Sequence, residues 1–341
     1  MEQFQNPYRL NGSLPDGLAT IPDPSIDAAA PLAMLARCPS YSKTPLRVVE
    51  GLIPATLWVK DERERMGLGS FKALGAAYVI AHAAMAKGGD FKTALAGEVY
   101  ATASAGNHGL SVAAGAQLFG ARAVIFLSVH VPEGFAERLR AMGADVIRAG
   151  DSYEDSMQAA QDQAEAQRWI LLSDASWLGY TELPHRLMEG YLAMVAEAED
   201  QVPQAPTHVF LQAGVGGLAG AVAAYARGIW PDAIYTVVEP ELAPALIESI
   251  KAGRSVVTTG GVSDMGRLDC KEPSLIALRG LARDADNFVT LTEEEALGAM
   301  PALADVDLAT STSGGAGIVA AMLSDLPADA RVFCILSEGP S

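Results

Sequence analysis

The sequence of 341 residues is poor in cysteine. Its three cysteines, Cys38, Cys270 and Cys334, are far apart and form no CxxC pair, so neither a disulfide framework nor a zinc site is predicted. No apolar run approaches the roughly 18 residues that a membrane-spanning helix needs. The first residues also lack the basic and apolar stretch that is typical of a secretion signal. These absences predict a soluble, cytoplasmic protein.

Positive charge is scarce as well. The chain has 24 Lys and Arg against 41 Asp and Glu, a formal net charge of −17, and only seven of the basic residues are lysines. Such an acidic surface repels phosphate backbones and anionic lipids, so we expect no nucleic-acid partner and no membrane partner. Half of the residues are hydrophobic and 19% are charged, which excludes a disordered chain and permits a large buried core.

Strand and helix patterns alternate along much of the chain. Short apolar strands are predicted at 55–60, 100–104, 121–127, 145–148, 169–172, 209–212 and 234–239, with helical patterns between most of them. This alternation is typical of βαβ units and parallel sheets, and it predicts an α/β fold. The first 27 residues are rich in Pro, Gly, Asn and Asp, and we predict an irregular arm there. A single helix is predicted over 71–86.

A glycine-rich loop follows one predicted strand and opens a helix. It reads QAGVGGLAG over residues 212–220. Glycines allow a ligand to approach the backbone closely, and free N–H groups at a helix start bind anions. One interpretation is a dinucleotide site, in which Gly214 and Gly216 begin the fingerprint and Glu239 binds the ribose. The others are a cradle for a single phosphate and a tight turn without a ligand.

Three further segments place polar residues at the junctions of predicted elements. Lys72 begins an apolar helix in GSFK (69–72), Asn107 lies in the glycine-flanked segment ASAGNHG (103–109), and Ser337 follows an apolar strand in CILSEG (334–339). Together with the glycine loop, these segments resemble the pyridoxal-phosphate (PLP) enzymes of the tryptophan synthase β-chain type, called fold type II. Ser-Ala-Gly-Asn-His is the pattern of serine and threonine dehydratases.

Longer stretches resemble the diaminopropionate ammonia-lyases. These are 61–75, 174–182 and 265–274. The matching motifs occur in order between about residue 44 and residue 339. The resemblance implies a two-lobed fold with parallel-type sheets flanked by helices. It implies a large PLP-binding domain of 1–92 and 174–341, and a smaller inserted α/β domain of 93–173 that closes over the substrate. It also implies a homodimer.

The resemblance assigns a role to each motif residue. Lys72 would bind the cofactor and later take the Cα proton of the substrate. Asn107 would hydrogen-bond the 3′ oxygen of the cofactor, and Ser337 would face its pyridine nitrogen. Asp174 would protonate the leaving group or recognise an amino group on Cβ; its alternative is a turn-forming residue. The other predicted residues are the phosphate-binding Gly214, Val215, Gly216 and Gly217 and the substrate-binding Ser104, Gly106 and His108; for His108 a packed histidine is the alternative.

Two departures from the family patterns bear on the predicted substrate and on a possible metal site. The ammonia-lyases carry an aspartate, associated with D-substrates, where this chain has Ala105, so we expect an L-amino acid. Some dehydratases and serine racemases bind a divalent cation through a glutamate and a nearby aspartate. Glu239 is present, but Ala245 stands at the second position, and no metal is predicted.

The predicted reaction is a PLP-dependent β-elimination that gives a 2-oxo acid and ammonia. The substrate is either a 2,3-diaminopropionate-like compound or a 3-hydroxy amino acid such as serine, threonine or a 3-substituted serine. Three alternatives stay open. They are an NAD(P)-dependent oxidoreductase built on residues 214–239, a cofactor-holding sensor without lyase activity, and an enzyme that replaces the leaving group with a nucleophile.

Overall fold

The computed structural model describes residues 1–340, so Ser341, the last residue of the predicted large domain, lies outside the described residues. The strands are β1 (Glu2–Gln5), β2 (Leu46–Val49), β3 (Thr56–Asp61), β4 (Val99–Ala103), β5 (Arg122–Leu127), β6 (Asp145–Arg148), β7 (Ile170–Leu171), β8 (His208–Gln212), β9 (Ile234–Pro240), β10 (Asn287–Leu291) and β11 (Arg331–Leu336). They form a seven-stranded sheet, β1-β10-β9-β8-β11-β3-β2, and a four-stranded sheet, β6-β5-β4-β7.

Helices flank both sheets. They are α1 (Pro7–Asn11), α2 (Ala29–Leu35), α3 (Ala76–Lys87), α4 (Asn107–Leu118), α5 (Glu133–Ala141), α6 (Tyr153–Gln167), α7 (Glu182–Gln201), α8 (Gly217–Ile229), α9 (Ala245–Ala252), α10 (Leu275–Asp284), α11 (Glu293–Asp305) and α12 (Thr312–Leu323). Short 3-10 helices lie at Arg65–Gly67, Phe71–Leu74 and Phe91–Thr93. Within residues 1–340, no helix combines the length and the apolar character needed to cross a membrane.

The strand pairing confirms the predicted α/β class. All pairs in the four-stranded sheet are parallel. The large sheet is mixed, because its inner strands are parallel while β1 and β2 are antiparallel to their neighbours at the two edges. Parallel strands covered by helices on both faces are apolar along their whole length, and the last five residues of β11 are buried accordingly.

The prediction of an irregular N-terminal arm is wrong for its first residues. The chain there forms β1, which pairs with β10, and α1, which is capped by Asn6. The buried Asn6 amide also donates hydrogen bonds to the carbonyls of Leu281, Ala282 and Ala285 at the end of α10. An edge strand is held through its backbone and exposes most of its side chains, so its sequence shows no apolar alternation.

The helix predicted over 71–86 is divided at Gly75. A 3-10 helix precedes this glycine and α3 follows it. A Cβ atom at Gly75 would lie 2.6 Å from the ring of Tyr191 on α7. The close approach of α7 therefore requires glycine at the division.

The four-stranded sheet is built from strands between residues 99 and 171, all inside the segment 93–173 for which a separate domain is predicted. One hydrophobic cluster nevertheless contains residues from both sheets and their helices, including Ile80, Ile125, Leu192 and Val237. The domain boundaries and the closure of 93–173 stay predictions.

Four charged side chains are buried together beside β3. Glu197 on α7 accepts hydrogen bonds from Lys60 Nζ at 2.7 Å and from Arg65 Nη1 at 2.8 Å, and Arg65 Nε donates to Glu62 at 2.7 Å. All four side chains are fully buried. Burial raises the pKa of Glu197, but the cations of Arg65 and Lys60 outweigh it and lower that pKa. The cluster anchors the segment that leads to Lys72.

We predict that Glu197→Gln lowers the free energy of unfolding by about 3–5 kcal/mol, because it leaves two buried cations without their shared anion. Urea unfolding at neutral pH measures the loss. Asp200→Asn on the same helix is the matched control, since its pair with Lys43 is exposed and such a pair contributes at most about 1 kcal/mol. Equal losses for the two variants would contradict the stabilising role of the cluster.

Candidate active site

The predicted site residues meet at a cavity of about 310 Å³. The residues that line it come just after the carboxyl ends of strands in both sheets. This is the usual position of ligand sites in open parallel sheets. The lining includes every predicted site residue: Lys72, Ser104, Gly106, Asn107, His108, Asp174, Gly214, Val215, Gly216, Gly217 and Ser337. Residues widely separated in sequence are therefore brought together here.

Lys72 and Asp174 form an ion pair in this cavity. Lys72 lies in the 3-10 helix Phe71–Leu74, and its Nζ is 2.5 Å from Asp174 Oδ2. The two side chains are 20% and 18% exposed. Burial disfavours the lysine ammonium, but the carboxylate of Asp174 outweighs this effect and raises the pKa of Lys72. Burial likewise opposes the carboxylate, but the charge of Lys72 prevails and lowers the pKa of Asp174.

The turn between β4 and α4 is organised by Ser104. The Ser104 hydroxyl accepts hydrogen bonds from the N–H of Gly106 at 3.2 Å and of Gly109 at 3.1 Å. A Cβ at Gly109 would lie 2.8 Å from the carbonyl oxygen of Ser104, so the turn requires glycine there. At the start of α4 the N–H groups of Asn107 and His108 have no backbone acceptor within residues 1–340. Such groups form an anion site.

His108 is fixed to the backbone behind the site. Its Nε2 is 2.8 Å from the carbonyl oxygen of Leu172, so Nε2 carries the proton and donates it. The buried Nδ1 has no hydrogen-bond partner among residues 1–340 and is left as an acceptor. Burial lowers the pKa of His108, which favours the neutral ring.

The glycine loop lies between β8 and α8 and packs tightly against its surroundings. Gly216 has φ +96°, in the left-handed region, and a Cβ there would lie 2.9 Å from the Cβ of Ala277. A Cβ at Gly214 would lie 3.0 Å from the sulfur of Cys270. With side chains excluded, the backbone of this loop and the start of α8 form a cradle that suits a phosphate.

Glu239, the acid of the dinucleotide interpretation, is used within the fold. It is 1% exposed, and its carboxylate accepts the N–H groups of Leu246 and Ile247, each at 2.7 Å, at the start of α9. Burial raises the pKa of Glu239 to about 8, against the lowering effect of these hydrogen bonds. It does not line the cavity.

Ser337 follows β11 directly. Its N–H donates to the carbonyl of Gly314 at 3.2 Å, and its carbonyl accepts the N–H of Phe71 at 3.1 Å. The hydroxyl forms no hydrogen bond within the described part of the chain. The end of β11 is thus linked through the backbone to the helix that carries Lys72.

Glu338 and Arg267 line the cavity and had no predicted role. Glu338 is buried and accepts hydrogen bonds from the Asn107 amide and the Ser311 hydroxyl. Arg267 extends over Gly106, with its Nε 3.6 Å from Glu338. Arg267 lies in the stretch 265–274 that resembles the ammonia-lyases, and Glu338 lies in the segment 334–339 that resembles fold type II PLP enzymes. These resemblances were the available signal. Their contacts join distant parts of the chain and leave no local pattern.

A lysine and a glycine-rich loop that line one cavity between two parallel-type sheets are the arrangement expected of a fold type II PLP enzyme. The chain belongs to the family described as pyridoxal-phosphate dependent enzyme, whose model matches residues 38–338. It is 33% identical to diaminopropionate ammonia-lyase of Escherichia coli K12, over 83% of this chain and 78% of the relative. It is 27% identical to L-threonine ammonia-lyase of Thermotoga maritima, over 80% of this chain and 64% of that protein.

The fold agrees with these relatives. The crystal structure of diaminopropionate ammonia lyase from Escherichia coli in complex with D-serine superposes with a TM-score of 0.87 and 28% identity, covering 99% of this chain and 93% of that chain. PLP is therefore the cofactor. The residues present fit it, because the excluded side chains at Gly214 and Gly216 leave a backbone cradle and Lys72 supplies an amine in the same cavity.

We predict that Asp174→Asn shifts the uptake of PLP to lower pH. Binding of the PLP aldehyde requires the neutral amine of Lys72. Without the Asp174 carboxylate, burial outweighs the smaller raising effect of Tyr191 and lowers the pKa of that amine. Visible absorbance after adding PLP to cofactor-free protein gives the rate across pH, and its midpoint should fall by about one unit or more. Asp269→Asn is the control, because Asp269 also lines the cavity but pairs with Lys271 at 2.6 Å. An unchanged midpoint in Asp174→Asn would contradict the assigned ion pair.

Proposed function

We propose that the chain is a PLP-dependent lyase that converts an L-amino acid with a leaving group on Cβ into a 2-oxo acid and ammonia. The observation that carries the proposal is the contact of 2.5 Å between Lys72 Nζ and Asp174, in the same cavity as the glycine loop. The names of the relatives, diaminopropionate ammonia-lyase and L-threonine ammonia-lyase, support the same reaction type.

The cofactor, when bound, supplies an electron sink that stabilises negative charge on the substrate Cα. Lys72 Nζ takes the Cα proton as a general base. Asp174 is a carboxylate within proton-transfer distance of that amine, so it can accept the proton from Lys72 and pass it to the group that leaves Cβ. Ser337 would offer the pyridine nitrogen a neutral hydroxyl, so the sink is moderate and favours prompt loss of the leaving group.

The substrate carboxylate has a site at the start of α4. The N–H groups of Asn107 and His108 are open there, and the positive end of the helix favours an anion. The Ser104 hydroxyl contributes by fixing the turn. Ala105 provides no carboxylate on this side of the cavity, in keeping with an L-substrate.

We further propose that the protein is cytoplasmic, that it forms a homodimer and that residues 93–173 close over the substrate. Cys38, Cys270 and Cys334 are free, as is usual in a reducing cytoplasm. Met85, Phe91 and Leu118 are exposed around a second, apolar cavity of about 280 Å³ and offer a surface for the second subunit of a homodimer. Residues 93–173 would close over the substrate, because Asn107 and His108 belong to that segment.

We predict that the PLP-loaded protein releases ammonia and a 2-oxo acid from at least one of L-2,3-diaminopropionate, L-serine, L-threonine and 3-substituted L-serines. Coupled assays for ammonia and for the 2-oxo acid measure the two products separately. Lys72→Ala is expected to abolish both, since it removes the base. Turnover of none of these compounds by protein with bound PLP would refute the lyase and leave the sensor alternative.

A further inference from the structure

The guanidinium of Arg267 has hydrogen-bond donors that are not used within residues 1–340. It lies in the loop between α9 and α10, and its backbone N–H donates to the Ser313 hydroxyl at 3.1 Å, which fixes the base of the side chain. The side chain is 40% exposed and lines the cavity. Within residues 1–340 its guanidinium donates no hydrogen bond, and the nearest carboxylate oxygen, on Glu338, is 3.6 Å from Nε.

The position of Arg267 relates it to the substrate. A Cβ at Gly106 would lie 3.4 Å from Arg267 Cδ and 3.5 Å from Nε. Gly106 immediately precedes the open N–H groups of Asn107 and His108, where the α-carboxylate would bind. The guanidinium therefore lies beside the site for the α-carboxylate and can bind a second anionic group there.

Among the charged residues that line the cavity within residues 1–340, Arg267 pairs only with Glu338, at 3.6 Å and without a hydrogen bond. Lys72 and Asp174 neutralise each other, and Asp269 is paired with Lys271. Glu338 accepts hydrogen bonds from Asn107 and Ser311 and keeps both if the guanidinium turns away. Arginine offers five N–H donors in a planar fork that matches a carboxylate.

We propose that Arg267 binds a second carboxylate carried by the substrate side chain. The inference rests on the proposed lyase function and specifies its substrate class: a 3-hydroxy amino acid with an acidic side chain, such as 3-hydroxyaspartate. A side-chain ammonium would be repelled by Arg267, which disfavours 2,3-diaminopropionate.

The reaction of such a substrate is balanced without an oxidant or a reductant. The Cα–H bond breaks and its proton goes to Lys72. The Cβ–O bond breaks and the hydroxyl leaves with its electron pair, and the proton that Asp174 relays from Lys72 converts it to water. Hydrolysis of the dehydrated product consumes one water and gives the 2-oxo acid and ammonia. For 3-hydroxyaspartate the 2-oxo acid is oxaloacetate.

The test compares kcat/KM for L-3-hydroxyaspartate with kcat/KM for L-serine. In Arg267→Gln we expect the ratio of the two to fall about 10- to 100-fold, the value of a charge-assisted pair of hydrogen bonds. Arg254→Gln, which removes an exposed arginine from the same loop, should keep the wild-type ratio. If Arg267 served only to neutralise Glu338, both substrates would be affected equally and the ratio would not change, which would overturn the proposal.

A binding measurement separates this inference from the lyase function. L-aspartate and L-alanine carry no β leaving group, and the change in the visible spectrum of the PLP-loaded protein reports their affinity. The wild type should bind L-aspartate more tightly than L-alanine, and Arg267→Gln should lose that preference. If both binding results are obtained but the protein releases no ammonia, the lyase function is refuted and the carboxylate site at Arg267 is still supported. Equal affinities in the wild type would refute the site, whatever the enzyme turns over.

Discussion

The ion pair of Lys72 and Asp174 is the contact on which the site depends. Lys72 follows β3 of the seven-stranded sheet and Asp174 follows β7 of the four-stranded sheet, so their contact of 2.5 Å links the two sheets across the cavity. A charge held away from water needs such a partner. Because the pKa of Lys72 is raised and that of Asp174 is lowered, the stabilisation is complete between their ordinary values. It is lost as pH falls through the pKa of Asp174 or rises through that of Lys72.

The surrounding packing holds Lys72 in place. A Cβ at Gly190 on α7 would lie 2.1 Å from the carbonyl oxygen of Leu74, so α7 lies directly against the helix of the lysine. The same α7 supplies Glu197 to the buried charge cluster that anchors the preceding segment. Fold stability and the placement of the lysine therefore depend on one helix. Weaker packing along α7 would therefore disturb the position of Lys72 even if every residue that lines the cavity were unchanged.

The sequence predicted those features that have a local cause. The apolar parallel strands, the glycine loop and the site residues Lys72, Asn107 and Ser337 all belong to short segments whose residue types reflect their own backbone or chemistry. Features that depend on distant partners were missed. The edge strand β1 is held by backbone pairing. Glu338 accepts a hydrogen bond from Asn107, which is 231 positions away in sequence. Glu239, which matched a dinucleotide site, caps α9 instead. Periodicity and motif spacing carry no record of such contacts.

The most direct test of the account is the visible absorption spectrum of the purified protein supplied with PLP, with Lys72→Ala and Lys87→Ala measured beside it. Lys87 is an exposed lysine on α3 and serves as the control. We expect a yellow band that borohydride bleaches in the wild type and in Lys87→Ala, with the reduced cofactor retained on the peptide that contains Lys72. Lys72→Ala should lose this covalent linkage. A wild-type protein that stays colourless, or a linkage that survives in Lys72→Ala, would contradict the assignment of Lys72 as the residue that binds PLP.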